Sequence, residues 1–509
     1  MGRVVSCPAM ADTAWDRLQP KLTELMDLRS ALSLIGWDEH VMMPPKGAHA
    51  RARASATLSS HYHSRVSDAD LGSIIDELRD DEGLDDVQKG VVRVTAREYD
   101  RATKVPIDLV RALAEVSSRA FAVWQVAKES SDFSMFEPLL REVVRLKKEE
   151  ADSLGWQGER YDAVLDYWEA ESKASEVEAL FLELVSGLAP LAAAILDAAG
   201  PRPKLLSVNP SAAKQLDFCR WMVEQIGFDL DAGRLDGTAH PFSIGIARGD
   251  TRQTIWRKPM GLVDTVLSAM HESGHALYDQ NFPEEWADYP IADAPSVGFH
   301  EGQSRLWENH VGRTLPFIEF ILPQLKEQFG DDLGMTTPDD YLRAANHAER
   351  TLIRVQADEV TYNLHIGLRF ELELALFRDE LDVADLPDAW DAGMEKHLGV
   401  RPADHTEGVL QDMHWSTAYF GYFPTYTLGT LYAAAFAEKI HSELPGLDAE
   451  FRKGDFSRFL GWLRENIHHQ GAKYPAKDLA RLILGTDLSP QPFLNHIKRR
   501  YGQLYELDL

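Results

Sequence analysis

Cysteine is nearly absent: the 509-residue chain carries Cys7 and Cys219 and no others. Two thiols so far apart make neither a disulfide framework nor a cysteine metal site, and their scarcity fits a reducing cytoplasm. Positive charge is also short, with 53 Lys and Arg against 81 Asp and Glu, a net charge of −28. Such an excess of acid argues against nucleic acid or an anionic membrane as partner. No stretch approaches the ~18 uninterrupted apolar residues of a membrane span. Residues Met1 to Asp12 lack the apolar run of about 7–15 residues that marks a signal peptide. Met1-Gly2-Arg3-Val4-Val5-Ser6 loosely fits a myristoylation pattern, but an untidy start is the simpler reading, and Met10 serves equally well as a beginning. Residues 1–12 are therefore expected to be a disordered extension and 13–509 a single domain, with no repeat or low-complexity linker cutting the chain.

What is present is mostly helical signal. Trp15, Leu18, Leu22, Leu25 and Met26 recur at helical spacing, with Pro20 expected to kink or delay that helix, and Met43-Pro44-Pro45 stops the first helical hairpin. Phe136, Leu139, Leu140, Val143, Val144 and Leu146 form another amphipathic face. Long helices are also expected over Ser175–Ala199, Asn209–Gly227, Asp264–Asn281, Thr337–Asp379 and Lys453–Gln470. The exception is His240 to Trp256, where Phe242, Ile244 and Ile246 alternate before a Gly-Asp turn and Thr254-Ile255-Trp256. That pattern predicts a β-hairpin, and an edge strand there could hold an extended peptide.

The chemistry concentrates just downstream. Met270-His271-Glu272-Ser273-Gly274-His275 is an H-E-x-x-H pattern within a predicted helix. Its spacing turns His271 and His275 to one face, where two imidazoles can converge on Zn²⁺, while Glu272 can reach a water on the ion as its base. Glu301, in the next helical segment with Leu306, Trp307 and His310, supplies a third ligand. A His/His/Glu set with an open fourth position is catalytic rather than structural zinc chemistry.

Five further motifs stand around this one in order. His240-Pro241-Phe242 and Asp250-Thr251-Arg252-Gln253-Thr254 precede it. His300-Glu301-Gly302-Gln303, Ile353-Arg354-Val355-Gln356-Ala357-Asp358, and Gly408 to Trp415 (GVLQDMHW) follow. In this ordered set the chain resembles the M32 family of zinc metallocarboxypeptidases, the thermostable carboxypeptidase 1 or carboxypeptidase Taq group, from about Trp15 to the end. One segment departs from it: Trp168-Glu169-Ala170-Glu171 stands where a Glu-Pro-Gly turn is expected, which questions a surface loop but not the chemistry.

The resemblance implies a mostly α fold like that of neurolysin and angiotensin-converting enzyme, with a deep central groove and a small hairpin or sheet beside the zinc helix. It also implies a homodimer that removes C-terminal residues from peptides with broad specificity, using one Zn²⁺ per chain or Co²⁺ in its place. His414, Tyr422 and Tyr426 are the candidates for stabilising the oxyanion. A free substrate carboxylate calls for an arginine. Arg354 is the first candidate, with Asp358 one helical turn later to orient it; Arg252 is the second, and His240 joins the substrate-binding set. Two rivals remain. One is an endopeptidase or dipeptidase of similar fold. The other is a di-iron carboxylate bundle built on Glu272-x-x-His275 and Glu465-Asn466-Ile467-His468.

Overall fold

Pro20 does not break the first helix, which runs unbroken from Ala14 to Val41 behind a capping box of Thr13 and Asp16. The computed structural model describes residues 13–509, so the expected N-terminal extension and its myristoylation-like pattern lie outside the described residues. The fold is mostly α, with helix over 69% of the chain and one three-stranded sheet.

Apolar residues gather into two principal clusters. The smaller joins Leu18, Leu22, Leu71, Ile75 and Val91 of the N-terminal helices to Trp286 and Ile291. The larger fills the body of the molecule and includes Phe218, Met270, Trp307, Phe370 and Phe436. A cleft of about 910 Å³ opens where the N-terminal helices face the body, lined by Tyr62 and Glu98 on one wall and by His271, Glu301 and Tyr422 on the other. Helix Ala174–Ala198 is long and apolar enough, by length and composition, to cross a membrane. Its Phe181, Leu184, Leu188 and Ile195 are buried, and it packs against helices Tyr362–Phe377 and Gln491–Tyr505.

The predicted hairpin is present as β2 (Ser243–Ala247) and β3 (Asp250–Trp256), joined through Gly249, whose φ of +78° suits glycine. Sequence reading missed β1 (Gly233–Thr238), which pairs parallel to β3 and makes the order β1-β3-β2. Its Gly-Arg-Leu-Asp-Gly-Thr sequence carries no β-branched alternation to announce it. Central β3 lies against the motif helix, where Gln253 accepts a hydrogen bond from Ser273 Oγ at 2.9 Å. Edge strand β2 begins at the cleft, which Pro241, Phe242 and Ser243 help to line.

The expected helix Thr337–Asp379 is two helices, Pro338–Ala345 and Tyr362–Phe377, separated by an irregular segment with one 3₁₀ turn at Arg354–Gln356. The reason is local capping. The Asn346 side chain folds back on the Leu342 carbonyl, and the Asp358 carboxylate accepts the Val360 and Thr361 N–H groups ahead of the second helix. The predicted Lys453–Gln470 helix is likewise shorter, Ser457–Asn466 followed by a 3₁₀ turn.

Candidate metal centre and cleft

Gly274 lets two helices cross at unusually close range. A Cβ there would fall 2.5 Å from the Gln303 carbonyl oxygen and 2.6 Å from Ser304 Cα, so helix Leu262–Gln280 can lie directly on helix Val297–Trp307. From the other side Gly429 of helix Phe423–Glu443 touches Glu301; a Cβ there would be 2.5 Å from Glu301 Cγ. The middle helix is thus clamped between two neighbours. Ser296 Oγ accepts its Phe299 N–H at 3.0 Å, and the buried Glu169 carboxylate accepts Gly298 N–H at 2.5 Å. The Trp168–Glu171 segment is therefore no mere surface loop: Glu169 fixes the start of this helix and Trp168 lines the cleft.

Inside the clamp, His271 and His275 share one helix face, as their spacing predicts. Their Nε2 atoms stand 3.6 and 3.4 Å from the same oxygen, Glu301 Oε2. Ligand atoms of the three residues lie within 4.8 Å of one another, and among the described residues no other His/Cys/Asp/Glu group meets this standard. The donor set and its convergence fit a divalent metal. They also dismiss the di-iron rival, because Glu465 is exposed while His468 stacks on Tyr278 at 5.1 Å.

Each imidazole is steadied through its other nitrogen. His271 Nδ1 lies 3.0 Å from Glu308 Oε2, and Glu308 is held by Arg313 at 2.9 Å and Arg305 at 3.3 Å. Glu308 opens a π-turn, Glu308–Gly312, which swings its carboxylate back toward the first helix. His275 Nδ1 lies 2.5 Å from His300 Nδ1, and His300 Nε2 lies 2.9 Å from Asp279. Glu301 itself accepts from Arg305 Nε at 2.8 Å. Sequence reading missed Asp279, Arg305 and Glu308, although Asp279 and Glu308 stand close to the motifs in the chain. Their signal is the general need of a ligating histidine for a partner on its free nitrogen.

The electrostatics suit a cation. Burial raises the Glu301 pKa, but Arg305 and His271 overcome it and hold the carboxylate well below its ordinary range. Burial and the adjacent His300 push the His275 pKa down to about 4, leaving its ring neutral and able to ligate. Burial lowers the His271 pKa but Glu301 and Glu308 more than reverse it, so a metal competes there with a proton. Replacing Glu308 by Gln removes the negative charge behind His271. Metal affinity is expected to fall about 10–100-fold, read by titration with a competing chelator; unchanged affinity sinks this role.

The remaining predicted residues divide by location. Glu272 is buried at the cleft, and burial followed by the nearby charges of His271, Glu301 and Glu308 leaves its pKa raised to about 7. Tyr422 and Tyr426 also line the cleft, with rings 5.3 Å apart. His414 sits behind them, its Nε2 3.4 Å from the Tyr426 hydroxyl and its pKa pushed down to about 3, chiefly by burial. The segment carrying these groups is pinned by Glu373, which sequence reading also missed. Its carboxylate accepts from Tyr161 Oη at 2.6 Å, Trp415 Nε1 at 2.7 Å and Gly421 N–H at 2.9 Å.

Arg354 is buried beside Tyr426, whose ring stands 5.2 Å from its Cζ. Asp358 does not orient it, because the irregular segment between the two helices removes the i, i+4 relation. Asp412 does, accepting from Arg354 Nε at 3.0 Å and from a terminal nitrogen at 2.7 Å, and Tyr362 Oη accepts at 3.0 Å. Asp412 also accepts from the fully buried Arg369 at 2.6 Å. Arg252 lies outside this cluster: it pairs with Asp250 at 2.7 Å and stacks on Trp37 at 4.3 Å, away from the residues lining the cleft. His240 is exposed, packs on Trp256 at 5.4 Å, and is likewise not part of the cleft lining.

Residues 17–501 match the family described as carboxypeptidase Taq (M32) metallopeptidase. The chain belongs to the M32 carboxypeptidase family. It is 41% identical to thermostable carboxypeptidase 1 of Thermus thermophilus, over 97% of this chain and 99% of that one. The Pyrococcus furiosus thermostable carboxypeptidase 1 is 37% identical, over 94% and 97%. Among solved structures, the M32 carboxypeptidase of Deinococcus radiodurans aligns with a TM-score of 0.93 at 34% identity, covering 97% of this chain and 100% of that one. A Pyrococcus furiosus carboxypeptidase aligns with a TM-score of 0.94 at 36% identity, covering 97% and 99%. As an M32 member this protein is a metallocarboxypeptidase, a hydrolase whose substrates are peptides.

Proposed function

We propose that the enzyme is zinc-dependent and removes C-terminal residues from peptides with broad specificity, with Glu272 as its proton-transfer group. The observation carrying this reading is the approach of His271, His275 and Glu301 in one cleft with Glu272 buried beside them. A zinc ion held by those three side chains supplies, when bound, Lewis acidity for a carbonyl and a lowered pKa for water; cobalt is the alternative occupant. Glu272 takes the proton of the attacking water and delivers it to the leaving amine, which needs a carboxylate poised near the working pH. Tyr422 and Tyr426 present hydroxyl donors to the oxyanion, and His414 supports Tyr426.

Substrate recognition follows from a charge imbalance. Arg354 and Arg369 share the single carboxylate of Asp412, which leaves one positive charge unbalanced in a buried place. An uncompensated buried charge is costly, and the free carboxylate of a peptide balances it. This assigns Arg354 to the C-terminal carboxylate and frees Arg252, His240 and Asp358 from substrate contact. Cytoplasmic location and homodimerisation belong to the same reading; sedimentation at several concentrations checks the second.

The deciding measurement compares a peptide with its C-terminally amidated twin by mass spectrometry, with and without chelator and restored zinc. The free acid is expected to shorten residue by residue, and the twin about 10–100-fold more slowly, as charged hydrogen bonds are worth about 1.5–3 kcal/mol. Equal cleavage of both, or cleavage within the chain, favours the endopeptidase reading.

A further inference from the structure

A run of aromatic rings leads away from the Arg354 cluster along the cleft. Tyr426 stands 5.2 Å from Arg354 Cζ, Tyr422 5.3 Å from Tyr426, Trp168 4.8 Å from Tyr422, and Tyr167 4.5 Å from Trp168. The run ends at Arg101, whose guanidinium lies 4.8 Å over the Tyr167 ring. One turn earlier on helix Asp86–Lys104 is Arg97, and both arginines line the cleft together with an adjoining cavity of about 1260 Å³.

These two arginines are short of negative partners. Both turn to the single carboxylate of Asp166, at 3.4 Å for Arg97 and 2.7 Å for Arg101, and Arg97 Nε is buried with no hydrogen-bond acceptor. Of the other acids on this part of the cleft, Glu150 pairs with Lys147 and Asp293 lies 3.7 Å from Arg29, while Glu98 accepts the neutral Tyr62 hydroxyl and keeps its charge. Arg97 and Arg101 therefore present two guanidinium groups to one shared carboxylate in a protein whose net charge is −28. Resting on the assignment of the carboxylate to Arg354, we infer that Arg97 and Arg101 form a subsite for an acidic side chain of the peptide, N-terminal to the scissile bond. An extended chain advances about 3.3–3.6 Å per residue, so the path of about 25 Å from Arg354 to Arg101 places that side chain within about seven residues of the C-terminus. The aromatic rings supply an apolar floor for the residues between.

Peptides sharing their last two residues, with Glu, Gln or Lys at each position from the third to the seventh from the end, test this through kcat/KM. Wild type is expected to prefer Glu over Lys by roughly tenfold at one of these positions, a ratio that shrinks as salt rises. Arg101→Glu should bring the ratio below one, Arg101→Gln should lower it, and Arg101→Lys should keep most of it. Metal content and melting temperature establish that each variant is folded. A wild-type ratio of one at all five positions overturns the subsite, as does a ratio that Arg101→Glu and Arg101→Gln both leave unchanged. The amidated twin keeps the two ideas apart: if it is cut as fast as the acid while the Glu preference persists, the exopeptidase reading fails and the acidic subsite stands.

Discussion

Glu272→Gln is expected to keep its metal and lose about 10²–10⁴-fold in turnover, the usual contribution of a positioned general base. That loss is about 2.7–5.4 kcal/mol of barrier at 1.36 kcal/mol per decade. Glutamine preserves the size of the side chain in a buried site beside two metal-binding helices, so packing is conserved while the proton acceptor is gone. Metal retention follows because Glu272 is not among the three converging ligand atoms. The pH profile adds an independent check. A buried carboxylate raised from 4.5 to about 7 is protonated at low pH, so kcat/KM must rise as pH increases through its pKa. A bound divalent cation favours the carboxylate and pulls the acid limb down from about 7 toward the ordinary value. The residual activity of Glu272→Gln should have lost that limb. Metal loss equal to the activity loss, or full turnover, would falsify the role.

How much of this was legible in the chain depends on the range of each interaction. His271 and His275 lie one helical turn apart, so local periodicity alone predicted their shared face, and Glu301 followed from the next helical run. The hairpin likewise declared itself by alternation around Gly249. Arg354 was singled out as the candidate arginine for a substrate carboxylate, but neither its burial nor its partner was read correctly. The i, i+4 inference to Asp358 presumed a continuous helix, and two capping side chains, Asn346 and Asp358, end it. The true partner, Asp412, is 58 residues away and reachable only through tertiary packing. Glu373 was invisible for the same reason, since its three donors come from Tyr161, Trp415 and Gly421. Gly274 could be seen as part of the motif, but the helix crossing it permits is a property of the folded pair.

Arg354→Ala is the variant that separates carboxylate recognition from structural support. Losing one member of a buried pair commonly costs about 3–5 kcal/mol because the other charge is stranded. Here Asp412 keeps Arg369 at 2.6 Å, so the truncated cluster becomes a balanced one-to-one pair and the fold is expected to survive. Substrate binding should suffer instead: KM for a free-acid peptide is expected to rise about 10–100-fold, the worth of charged hydrogen bonds at about 1.5–3 kcal/mol. The amidated twin, already lacking that interaction, should lose little more. Combining the substitution with amidation therefore forms a two-by-two cycle, and the two changes should be strongly non-additive. A role in scaffolding alone predicts equal losses for both peptides and a lowered melting temperature. Equal losses on acid and amide would remove Arg354 from carboxylate recognition, and with it the argument that the unbalanced charge beside Tyr426 awaits the end of a peptide.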